Sequence, residues 1–208
     1  MVSLAIIITG CATQKTESPQ VLSAATVAKL QPTLSPELRG LLDHSLEARA
    51  VLSRALAQTS RGRQVRVRYY YRNDAREPWS DYLEYGPRLL HVGLAMSQTA
   101  WDEYVLLVFE LENSVNGDAS RELWASVLQG KLSASDYASG LLKLEYAALC
   151  RAKVRIESVS AVDPQLAESQ RYHEMIDGTQ SLEKYVKLSE IAHDNYANYA
   201  EKVRATQR

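Results

Sequence analysis

The chain reads as a predominantly helical α+β fold, with a small antiparallel or mixed sheet packed by one central helix and followed by long C-terminal helices. Three observations predict it. Val65, Val67, Tyr69 and Tyr71 alternate with Arg66, Arg68, Tyr70 and Arg72, the period of a half-buried strand. Thr99-Ala100-Trp101-Asp102 has the form of a capping box, and the segment it opens is apolar nearly all round from Tyr104 to Phe109, which marks a central helix. From Ser133 onward the apolar pattern is helical, punctuated only by turn signals.

Taken in order, Ser35-Pro36-Glu37 starts the first helix: a hydroxyl cap, a proline whose missing N–H costs nothing there, then an acid facing the helix dipole. Leu38, Leu41, Leu42, Leu46, Val51, Leu52, Ala55 and Leu56 carry that helix to about Gln58. Arg61-Gly62-Arg63 turns the chain into the strand, and Asn73 to Ser80, with Pro78, reads as a loop. Gly86-Pro87 introduces a second strand over Leu89 to Leu94. The central helix ends at Asn116-Gly117, a short helix covers Arg121 to Leu128, and Gly130 ends that one. Ser133 or Ser135 caps a long helix through about Val159. Asp163-Pro164 opens the last helical region, with a break at Asp177-Gly178. Thr179 to Arg204 then carries a tyrosine-rich stripe of Leu182, Tyr185, Ser189, Ala192, Tyr196 and Val203.

The net charge of −1 gives no global electrostatic case for nucleic acid. Arginines on the wet face of an edge strand also discourage strand-to-strand aggregation, which accounts for Arg66 and Arg68 without a nucleic-acid partner. Twelve tyrosines stand against a single phenylalanine. Tyrosine tolerates half-wet sites better, so this bias points to a thin core or an interface.

Ile6-Ile7-Ile8-Thr9-Gly10-Cys11 closes a short apolar run on a small residue, a glycine and a cysteine. The pattern resembles a bacterial lipoprotein signal. The resemblance implies that residues 1–10 are a signal peptide, that Cys11 is lipidated and becomes the N-terminus, and that 11–34 is a tether before a single mostly helical domain over 35–208. Ala12 to Pro32 is rich in Thr, Ser, Gln and Pro with little sustained periodicity, as a tether would be, although Val27, Leu30 and Leu34 offer docking side chains. Ala12 after the cysteine implies the outer membrane, facing the periplasm, if the cell is Gram-negative. With Cys11 lipidated, Cys150 has no disulfide partner, and its apolar helix predicts a buried, inert thiol.

One constellation bears on chemistry. Phe109-Glu110-Leu111-Glu112-Asn113 lies in the central helix after a strand. The order is similar to that of zincin metallopeptidases, whose His-Glu-x-x-His places two metal ligands on one helix face beside a water-activating glutamate. Phe109 and Asn113 occupy the two ligand positions, and Glu110 alone matches. Glu145, among Leu141, Leu142, Leu149, Ala152 and Ile156 on the next long helix, occupies a position like that of a third, glutamate ligand. The resemblance thus implies a degenerate scaffold over roughly 65–156. Phenylalanine cannot ligate and asparagine is a poor zinc ligand. His44, His91, His173 and His193 show no i, i+4 pairing, and His173-Glu174 is followed by Asp177 where a second histidine belongs. No metal site and no cofactor are therefore expected.

Two functional readings follow. The first is a membrane-anchored envelope domain that binds a protein partner without catalysis, with Glu110 and Asn113 bonded to backbone or tyrosine groups and Glu145 paired to Arg66 or Arg68. The second is a hydrolase of peptide or cell-wall substrates using Glu110 and Glu145 as an acid/base pair, with Asn113 as a binding residue. No Gly-x-Ser-x-Gly element, phosphate loop or dinucleotide fingerprint is present.

Overall fold

The computed structural model describes residues 30–60, 64–72, 80–85, 89–96 and 99–206. The Cys11 signal, most of the tether, the turn at 61–63, the loop at 73–79 and Gly86-Pro87 lie outside the described residues. The described residues form eight α-helices and a three-stranded mixed sheet, a predominantly helical α+β fold.

A 3-10 turn, Gln31–Thr33, leads into α1 (Pro36–His44) and α2 (Leu46–Ser60). The single helix expected there is two, because Ser45 takes an extended conformation and its hydroxyl caps α2 by accepting the Ala48 N–H at 3.1 Å. A Ser hydroxyl competing for backbone donors is how such breaks arise. Leu30 and Leu34 are buried in the main core, so the packed domain reaches back into the stretch before Ser35. Thr33 accepts the Val67 N–H at 3.1 Å, and the Ser35 N–H donates to the Tyr69 hydroxyl at 2.8 Å. The turn thereby covers the outer edge of the first strand, which would otherwise expose unpaired backbone.

The strands are β1 (Gln64–Tyr70), β2 (Ser80–Tyr85) and β3 (Leu89–Ala95). β3 is central, parallel to β1 with Val67 opposite Val92, and antiparallel to β2 with Tyr82 opposite Val92. The expected strands are thus the outer β1 and the inner β3, while β2 follows the expected loop in a stretch that was not read as a strand. Its inward residues Ser80, Tyr82 and Glu84 are polar or amphipathic, so it lacks the apolar alternation by which strands are recognised. Arg66 and Arg68 lie on the open face, as expected of the wet side. Arg68 reaches Asp81 of β2 at 2.8 Å across Gly93 of β3. A Cβ on Gly93 would stand 2.1 Å from the Asp81 carboxylate, so the glycine is what allows the ion pair to cross the central strand.

α3 (Ala100–Ser114) packs between the sheet and the remaining helices, and the Thr99–Asp102 capping box forms as expected. α4 (Gly117–Leu128) starts four residues before its expected beginning. The central helix ends at Ser114, just before Asn116-Gly117 as expected, and Gly117 is also a close-approach residue, since a Cβ there would meet Glu84 at 2.6 Å. Gly130, at φ +69°, does end the helix in the left-handed conformation that favours glycine. α5 (Ala134–Ser160) is capped by Ser133, and α6 (Gln170–Gly178) follows a second 3-10 turn, Pro164–Glu168. The expected last helix is broken at Ser189 into α7 (Leu182–Leu188) and α8 (Glu190–Thr206).

The main core joins α1, α2, the sheet, α3, α5 and α6; a smaller one joins α4, α5 and α8 around Val127, Tyr137 and Ala200. The last two helices stand apart in how they are held. α7 has no buried residue and α8 buries only Ala200. A fully buried leucine contributes about 1.5–3 kcal/mol, and neither helix has one. Their attachment rests on half-buried aromatics and on the polar contacts described next.

Candidate functional site

α3 is the innermost helix, yet it buries Asp102, Glu103, Glu110, Glu112 and Asn113. A buried polar group needs a partner, and each of these finds one on a different element. Asp102 accepts the Ser169 hydroxyl at 2.6 Å and the Arg171 N–H at 3.0 Å, at the start of α6. Burial pushes its carboxyl upward, but these bonds outweigh it and hold the group below its ordinary value. Glu103 accepts from Ser35 at 2.6 Å and from Tyr69 at 3.3 Å. Glu112, only 1 % exposed, binds Arg151 at 3.0 Å and also Arg155, fastening α5. Arg151 further donates to the Glu112 carbonyl at 2.8 Å and to Asn116 at 3.1 Å.

Glu110 faces the sheet and Glu112 faces α5, as the helical wheel of about 100° per residue requires. Glu110 is 3 % exposed. It accepts the Ser80 hydroxyl at 2.6 Å and a hydrogen bond from the Asn113 side chain. Burial pushes its carboxyl up to about 8, helped by the nearby negative charges of Glu145 and Asp81. Glu145 is half-buried as a residue, with its carboxyl turned inward. Tyr185 of α7 donates to it at 3.1 Å, and Tyr196 of α8 donates to its other oxygen. Burial raises this carboxyl as well, while the two phenols oppose the rise.

The structure therefore brings Glu110 and Asn113 together with Glu145 close enough for its charge to act on Glu110. It corrects the partner expected for Glu145: Arg68 is engaged by Asp81 on the open face of the sheet, Arg66 is exposed there, and two tyrosines serve instead. Tyr82 joins from β2, bonded to Ser120 of α4 and pushed up to about 12 by burial and by the surrounding carboxyls. Ser80, Tyr82, Tyr185 and Tyr196 were not singled out as site residues. The bias of twelve tyrosines to one phenylalanine was the available signal: the fold uses phenol groups as uncharged donors to buried acids.

Chemically, the cluster offers two carboxyls, one carboxamide, one hydroxyl and three phenols, all oxygen-rich. Among the described residues, no group of three His, Cys, Asp or Glu side chains is placed to hold a metal ion. The histidines are dispersed: His44 bonds the Gly40 carbonyl at 2.7 Å, His173 bonds that of Ala167 at 2.7 Å, and His193 approaches Ser139 at 3.4 Å. Cys150 is half-buried on α5 rather than fully enclosed. A pocket with room for about one water lies by Thr59, Glu84, Gly117 and Arg121 and does not include Glu110 or Glu145. No helix among the described residues is long and apolar enough to cross a membrane. No family model, curated protein or solved structure matches the chain.

Proposed function

We propose that this chain is a lipid-anchored envelope domain, held to the membrane through Cys11, that acts by binding a protein partner rather than by catalysis, on a degenerate zincin-like scaffold. The observation that carries the reading is how the candidate acids are occupied. Glu110 accepts from Ser80 and Asn113, and Glu145 from Tyr185 and Tyr196. Both acids thus join elements of the domain to one another, whereas a hydrolase needs them open to substrate and water.

The outer side of the last two helices supports a binding role. Leu188 is 62 % exposed and Ile191 57 %, three residues apart at the α7–α8 junction, and Val186 lies beside them. Adjacent exposed apolar side chains mark interaction surfaces more often than isolated ones do. If the cell is Gram-negative, the surface would face the periplasm from the outer membrane.

The test uses the full-length chain in its own cell envelope. A photo-crosslinking side chain at Ile191 is expected to give a discrete crosslinked product that Leu188→Asp abolishes, and Cys11→Ser is expected to move the protein out of the membrane fraction. Absence of any specific crosslink, unchanged membrane association of the Cys11 variant, or zinc bound stoichiometrically with hydrolytic activity would overturn the reading.

A further inference from the structure

Tyr199 of α8 lies 5.5 Å from Trp124 of α4, ring centroid to ring centroid, with the two planes 24° apart, so the rings stack face to face. Tyr199 is nevertheless 59 % exposed. With one face of the ring against Trp124, that exposure leaves the opposite face open to solvent. Trp124 is half-buried and also meets the Tyr137 ring of α5 at 5.4 Å. Tyr199 is thus the outermost of three rings resting on the small core around Val127 and Ala200. A side chain already ordered in this way loses little conformational freedom when something binds to it.

The surroundings of the open face are polar. On α8, Asn195 stands four residues before Tyr199 and Lys202 three after it, so all three share one side of the helix. Both flanking side chains are exposed, and among the described residues neither is engaged in a hydrogen bond or an ion pair. The carboxamide offers donors and an acceptor, and the ammonium offers donors only. On α4, Leu128, one turn beyond Trp124, is exposed as well.

We propose that the Tyr199–Trp124 stack is a platform for a glycan: a pyranose ring of a β-linked, glucose-configured chain lies on the open face of Tyr199, with its hydroxyls bonded to Asn195 and Lys202. The inference goes beyond the partner-binding reading and needs neither the Cys11 anchor nor the α7–α8 junction.

The match is chemical. A pyranose with equatorial substituents turns axial C–H groups to both faces of its ring, which makes those faces flat and apolar, while its hydroxyls project around the edge. The C–H groups carry slight positive charge and meet the negative face of an aromatic ring. Such a molecule is apolar where Tyr199 is open and polar where Asn195 and Lys202 reach. A proline-rich peptide docks instead in an aromatic-lined groove, and the stacking of these two rings closes the space between them. A wholly apolar helix would strip water from the carboxamide and the ammonium without replacing its hydrogen bonds.

Amide NMR of the full chain titrated with chitotetraose, a β-linked tetramer of N-acetylglucosamine, tests this. Saturable shifts are expected at amides of α4 and α8 around Trp124 and Tyr199. Sorbitol, which has the hydroxyls without the ring, is expected to give none. Tyr199→Phe keeps the stacking face and should bind within about twofold of the wild type, whereas Tyr199→Ala should weaken binding by about tenfold. Asn195→Ala should weaken it by about fivefold. No saturable shift in the wild-type chain, shifts confined to other elements, or the same response to sorbitol would overturn the proposal. So would equal affinity in Tyr199→Ala, or a proline-rich peptide that shifts these amides where the sugar does not. The wild-type titration decides alone should Tyr199→Ala fail to fold.

Discussion

Replacing Glu112 by leucine tests whether α3 is fastened to α5 by its buried acid. The side chain is 1 % exposed and takes the guanidinium groups of both Arg151 and Arg155. A hydrogen bond to a charged group contributes about 1.5–3 kcal/mol, and breaking a buried pair by removing one partner costs about 3–5 kcal/mol. Arg151 and Arg155 are 38 % and 17 % exposed in their side chains, so both regain some water, which places the cost near the lower bound. Glu112→Leu should therefore cost about 3 kcal/mol, or a Tm lower by about 6–12 °C in a domain of this size. Leucine is a good helix former, so helix propensity does not account for the loss. Arg155→Met alone leaves Glu112 with Arg151 and should cost about 1.5 kcal/mol. The double variant replaces one charge pair by two apolar side chains, while Arg151 keeps the Glu112 carbonyl and Asn116. It should cost about 2 kcal/mol, so that urea unfolding of the four proteins gives a coupling of about 2.5 kcal/mol. Additive single effects, or a Glu112→Leu cost below about 1 kcal/mol, would refute the reasoning.

Two further outcomes follow from the same geometry. Asp102 is held below its ordinary value in the folded chain, so its contribution to stability is present above that value and lost as pH falls through the lowered one; in Asp102→Asn, the fall of Tm between pH 5 and pH 2 should be shallower, and an unchanged acid limb would count against it. Gly93→Ala places a Cβ 2.1 Å from the Asp81 carboxylate and 3.1 Å from the Tyr70 ring, displacing a partly exposed ion pair of about 0.2–1 kcal/mol. Arg68→Ala should then be silent in the Gly93→Ala background, and an equal cost in both backgrounds would show that the pair does not cross the strand through the glycine.

What was legible in the sequence is what local chemistry decides. The capping box at Thr99, the serine cap at Ser133, the left-handed stop at Gly130 and the alternation of β1 each depend on a few adjacent residues, and each stands where it was read. The misreadings share a different cause. β2 exists because β3 pairs with it and because Glu110 and Arg121 meet its polar inner face; nothing in Ser80 to Tyr85 announces that. Gly117 stands at the end of the central helix as its composition cue suggested, and what the cue hid is that it opens α4 in close approach to Glu84. Ser45 and Ser189 break helices that the apolar pattern would join: the Ser45 hydroxyl caps the next helix, and Ser189 ends α7 through its backbone N–H, and a periodic stripe is blind to both.

The candidate site was half legible for the same reason. Helical spacing placed Glu110 and Asn113 together and turned Glu112 away, but spacing within one helix cannot name the partner on another. Arg151 and Arg155, four apart and therefore on one face of α5, are the partners Glu112 required. Arginine was also expected at Glu145, and the structure supplies tyrosines. The difference has a consequence. A guanidinium beside Glu145 would hold that carboxyl ionised across the whole physiological range. Phenols donate hydrogen bonds without adding positive charge, so burial raises the Glu145 carboxyl above its ordinary value although both phenols oppose the rise. Glu112 and Glu145 thus show opposite solutions to a buried acid: on α3 one is neutralised by two arginines of α5, and on α5 the other is held by uncharged tyrosines of α7 and α8.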